Sequence, residues 1–158
     1  MSVQERMGPS NWQLLCNAPL TIWLGVSTVD AIAGSDRKEV AAFDRALADS
    51  AKQYADSELI SGVIADAKKP SSKQKHGGSS VTVPQLLKRL RRVSKLLAAE
   101  VDSEGAEQFT KFLLDVGWQV ARAASESPFA ACRVSVAEEQ FLYDAARALR
   151  SGGAADVA

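Results

Sequence analysis

Apolar residues recur along most of this chain at the three- and four-residue steps of an α-helix. Leu15, Ile22, Val26, Val29 and Ala33 make one such stripe, and Gly34 is placed to end it. A second stripe, Val40, Phe43, Leu47, Ala51 and Tyr54, follows a Ser35 cap with Asp36 and Glu39 in the first turn, where carboxylates meet the positive end of the helix dipole. Leu59, Ile60, Val63 and Ile64 share one face of a shorter segment that Asp56 or Ser57 opens and that stops before Pro70. Leu86, Leu87, Leu90, Val93 and Leu97 follow Val83-Pro84, and Phe109, Phe112, Leu113, Val116 and Val120 lie within a helix predicted from about Ser103 to Ala124. Ser135 and Glu138 have capping-box spacing for a last helix through Arg150. Nearer the start, Pro9 or Ser10 opens a short helix through Cys16, and Asn17 caps the next, with Pro19 in its first turn.

No segment alternates with period two for more than a few residues, and Val81-Thr82-Val83 runs into Pro84, so no strand is expected. The fold class predicted is all-α, a compact bundle of about six to seven helices. The junctions at 29–43 and 116–141 are loosely alike, so the bundle reads as two related helical hairpins. A chain of 158 residues buries about two-thirds of its unfolded surface and suits one domain over 1–158. Within it, the lysine-, serine- and glycine-rich stretch at about 70–82 reads as a flexible basic loop, and 151–158 as a disordered tail.

Charge changes this picture more than composition does. Formal net charge is zero, yet residues 68–95 hold nine cations and no carboxylate, leaving ten basic against 19 acidic residues elsewhere. Such segregation makes an electric dipole able to steer a charged partner. On the helix after Pro84, Lys88, Arg91, Arg92 and Lys95 fall opposite the leucines, with Arg89 at their edge. This face is the candidate partner-binding surface, for an acidic protein or for phosphate. No aromatic residue is interleaved with its charges and the whole chain is not basic, which disfavours nucleic acid. No Trp or Phe anchors it at a membrane interface, and no apolar run of about 18 residues occurs. The N-terminus lacks the basic-then-apolar layout of a signal peptide, so a cytoplasmic location is expected. Opposite charges on one chain also suit self-association, which keeps a homo-oligomer open.

Candidate chemistry is sparse. Cys16 and Cys132 stand without a Cys-x-x-Cys pair or a neighbouring histidine, which fits two buried free thiols better than zinc or a disulfide. His76, the one histidine, sits in Lys-Gln-Lys-His-Gly-Gly, where nothing fixes a catalytic geometry. Trp12, Trp23 and Trp118 lie in apolar helices and read as packing. Asp30, Asp36 and Glu39 are candidate ligands for a hard cation, with loop carbonyls or water completing about six oxygens, although the loop lacks calcium-loop spacing. Helix-dipole charges are the plainer reading of Asp36 and Glu39. Glu126, Glu138 and Glu139 form the corresponding group at the second junction, across a longer loop. No catalytic residues are assigned.

The junction Ile32-Ala33-Gly34-Ser35-Asp36-x-x-Glu39, followed by Phe43 and Leu47, resembles the TerB-like family of tellurite-resistance proteins, and Ala123 to Glu139 resembles it more weakly. The similarity spans about 12–150 through short motifs of low specificity. Gly34-Ser35 stands where that family usually has Asp-Gly, so one proposed acidic ligand is absent, and the second junction lacks Asp-Gly altogether. The resemblance implies one helical domain, no catalysis, divalent-cation binding at the acidic junctions, and a role in a stress-response or membrane-associated complex, linked to tellurite or other chemical stress. Calcium, magnesium or manganese would then be the cofactor, at Asp36 and Glu39 with Asp30 nearby.

Overall fold

The computed structural model describes residues 2–29, 36–68, 81–124 and 134–154, with the side chains at 36–39, 124, 153 and 154 left aside. Eight helical segments are described: α1 (Val3–Met7), α2 (Pro9–Cys16), α3 (Ala18–Val29), α4 (Asp36–Gln53), α5 (Glu58–Asp66), α6 (Val83–Glu100), α7 (Ser103–Ala124) and α8 (Val136–Ala154). Seven of them are eight residues or longer, and no strand occurs among the described residues, so the protein is an all-α bundle.

The helix starts follow local chemistry. Ser57 Oγ accepts from Ile60 N at 3.1 Å and opens α5. Thr82 and Gln85 close a reciprocal capping box at the head of α6, with Thr82 N donating to Gln85 Oε1 at 3.0 Å. The predicted box at the head of α8 is present: Glu138 N donates to Ser135 Oγ at 3.1 Å, and Ser135 N to Glu138 Oε1 at 2.9 Å. Glu138 is itself buried, so this cap is built into the bundle rather than hung on its surface.

Two features depart from the sequence pattern. The five-residue α1 was not expected; Ser2 and Glu5 box its start, its Met7 is buried, and Val3 N donates to Glu58 Oε1 on α5 at 3.3 Å. At the other end α8 continues past Arg150 to Ala154, where Gly152 N donates to Ser94 Oγ on α6 at 2.8 Å. Helical backbone thus occupies 151–154, the first part of the predicted tail.

One apolar core runs through the molecule, and α3 lies at its centre, touching α6, α7 and α8. Apart from Leu24, every residue from Ala18 to Ser27 is buried, as expected of a helix without a charged side chain. The most extensive helix pairs are α6 with α8 and α4 with α7, so the main packing lies between helices distant in sequence rather than within the expected hairpins. The stripes point largely as predicted: Phe109, Phe112, Leu113, Val116 and Val120 are fully buried, as are Leu86, Leu90, Val93 and Leu97, while Leu87 at the edge of its stripe is half-buried. Trp12, on α2, donates from Nε1 to Asp66 Oδ2 at 2.8 Å and so ties α2 to α5.

Candidate functional site

Burial of the leucine stripe fixes the opposite side of α6. Lys88, Arg89, Arg91, Arg92 and Lys95 are all exposed, and none makes an ion pair or a hydrogen bond to another described residue. The described ion pair joins Arg150 to Glu107 at 3.0 Å, across α8 and α7. Positions 88, 91, 92 and 95 span two helical turns, about 10 Å of surface at 1.5 Å per residue. Side chains three and four apart on a helix are neighbours, so these cations form a continuous strip held on a rigid, well-anchored element.

The acidic junction cannot be assembled in the same way. Asp30 lies outside the described residues. Asp36 and Glu39 belong to the first turn of α4, as predicted, with their side chains outside the description. At the second junction Glu126 is also outside, and Glu138 is engaged by the Ser135 cap. Glu139 accepts a hydrogen bond from Tyr143, which raises that phenol's pKa above its ordinary value. No group of three potential metal-ligating side chains occurs among the described residues. Cys132 and His76 lie outside them, while Cys16 is a buried free thiol, its pKa pushed up to about 11 by burial and then by the charge of Asp66.

A third feature carried no signal in the sequence. A cavity of about 500 Å³ opens along α3 from Asn17 to Thr28, bounded also by Lys68, Val81 and Arg89. Asn17, Leu20, Thr21, Trp23 and Leu24 supply much of its wall. Trp23 is only 1 % exposed, yet its indole N–H has no acceptor, and the side-chain oxygen of Asn17 has no donor, so Asn17 does not cap α3 through its side chain as expected. A buried donor left unmade costs about 1–3 kcal/mol. Trp23 is core packing, as its place in an apolar helix predicts. The unmatched polar atoms and the placing of Lys68 and Arg89 on one cavity depend on tertiary structure that periodicity does not encode.

No family model, curated protein or solved structure matches this chain. Among the described residues no helix is long and apolar enough to cross a membrane.

Proposed function

We propose that this protein works by binding rather than catalysis, docking an acidic segment of a protein partner along Lys88, Arg91, Arg92 and Lys95. The observation that carries this reading is that all four cations are exposed and unpaired among the described residues while the other side of α6 is consumed by the core. Cations that neutralise no described carboxylate leave a field for a second molecule. An acidic protein is favoured over nucleic acid because the strip carries no aromatic side chain for base stacking.

Fluorescence anisotropy with a labelled oligo-glutamate peptide tests the reading, with a duplex DNA of matched charge as comparator. Exposed charge pairs contribute roughly 0.2–1 kcal/mol each, so the Lys88→Gln, Arg91→Gln, Arg92→Gln, Lys95→Gln variant should bind about fourfold to several-hundredfold more weakly. Affinity of the parent should also fall steeply with added salt. Unchanged affinity in the variant removes the proposal, and preference for DNA replaces the protein partner with nucleic acid.

A second reading rests on the TerB resemblance: a role in tellurite or chemical stress with a divalent cation at Asp30, Asp36 and Glu39. It is favoured by the start of α4 at Asp36, which gives the acidic first turn that the resemblance requires. Thermal unfolding of chelator-stripped protein against calcium, magnesium and manganese tests it. A cation at a hundred times its Kd adds about 2.7 kcal/mol, several degrees in a chain of this size. The shift should vanish in Asp36→Ala, Glu39→Ala; no shift in the parent makes these residues helix-dipole charges.

A further inference from the structure

We infer that the acidic partner of the α6 strip is a second copy of this chain, the two α6 helices pairing antiparallel across a two-fold axis at Leu96 so that Arg92 of each copy meets Glu100 of the other. This names the partner in the docking reading above and rests on it. The first observation behind it is a ridge of mixed sign. Lys88, Arg92, Leu96 and Glu100 step by four within α6 and so line one edge of the helix. Arg92 and Glu100 stand about 12 Å apart along the axis, with Leu96 midway between them. Lys88, Arg92 and Glu100 are exposed and bonded to no other described residue, and Leu96 is half-buried, so the edge is not consumed by the fold. Such a ridge complements itself only when reversed. Turned about Leu96, it sets cation over carboxylate at both ends at once, the self-complementary contact of a two-fold dimer, whereas a parallel pairing sets like on like.

The second observation is what lies past Glu100. A groove of about 450 Å³ is lined there by Leu59 and Val101 and by the carboxylates of Glu58, Glu100 and Asp102, with Arg6 the one cation among its described lining residues. Long basic side chains lay their apolar stems along such a wall and keep the charged head at its polar edge. Lys88 of the second copy, one helical turn beyond Arg92 on the ridge, is placed to do so. The third observation is the net charge of zero, which leaves no overall repulsion between copies while their unlike ends attract. An unrelated acidic chain would satisfy the cations but leave Leu96 and the groove uncovered.

Sedimentation equilibrium of the full chain over a concentration series at low salt tests the inference, with oligo-glutamate anisotropy run on the same samples. The parent should approach twice the chain mass as concentration rises, and added salt should reverse this. Arg92→Glu and Glu100→Arg each turn both contacts of the pair repulsive, so either variant alone should self-associate about fourfold to several-hundredfold more weakly. An equimolar mixture of the two variants should dimerise as the parent does, because opposite signs then meet at both contacts. Both positions are exposed, so each variant should keep the parent's Tm. A parent that stays monomeric at millimolar concentration, variants that associate as tightly as the parent, or a mixture no tighter than its components would each overturn the inference. A monomeric parent that still binds oligo-glutamate removes only the second copy and leaves the docking reading standing; a parent that does neither removes both.

Discussion

Tyr54 shows how single residues tie this fold to pH. Its hydroxyl donates to Asp115 Oδ2 on α7 at 3.1 Å, and its ring meets Phe112 edge-on with centroids 6.2 Å apart. Burial, then the charge of Asp115 and the hydrogen bond to it, push the Tyr54 pKa up to about 12; burial pushes that of Cys16 up to about 11. Both groups hold their protons more tightly folded than at their ordinary values of 10.0 and 9.0, so the native state binds more protons than the unfolded chain over that range. Their contribution is complete below about pH 9 and is lost as pH rises through about 11 to 12. Urea-unfolding midpoints measured from neutral pH to about pH 12 should therefore stay level and then fall, with a shallower fall in Cys16→Ala, Tyr54→Phe. An equally steep fall in that variant would place the alkaline sensitivity in other groups.

Among the helices, the closest approaches are made possible by glycine. A Cβ at Gly152 would lie 2.6 Å from the Ser94 carbonyl oxygen, and one at Gly25 would collide with the Phe141 ring. Backbone cannot yield as a flexible side chain can, so Gly152→Ala should cost about 1–3 kcal/mol and lower Tm by several degrees, a loss visible by calorimetry. An unchanged Tm would mean that α8 does not run past Arg150 against α6. The same contact explains why the end of α8 was misjudged from sequence. Gly152-Gly153 reads as a helix stop by local preference, but here the missing side chain lets α8 pack on α6. Stripes such as Phe109 to Val120 were legible because one buried face repeats at helical spacing. In α1 the Ser2 and Glu5 capping signal was present, but five residues with Met7 as the buried anchor make no stripe. Centrality of α3 is a further tertiary fact: its lack of charge was visible, whereas its contacts with α6, α7 and α8 required the fold.

Across the whole molecule, charge segregation visible along the chain becomes a spatial arrangement. The five α6 cations are exposed, as the helical wheel predicted, because their opposite face is locked into the core by α3 and α8. The α3 cavity was invisible beforehand, since α3, Lys68 after α5 and Arg89 on α6 border one space only in the folded chain. The acidic junction marks the other limit: its sequence pattern is plain, but Asp30 and the side chains of Asp36 and Glu39 lie outside the described residues. Docking of an acidic partner on the exposed α6 strip can be tested by zero-length carbodiimide cross-linking of oligo-glutamate to the full chain, with modified lysines mapped by mass spectrometry. Cross-links concentrated at Lys88 and Lys95, and lost with added salt, are the predicted result; labelling of the exposed Lys52 and Lys111 to the same extent would contradict it.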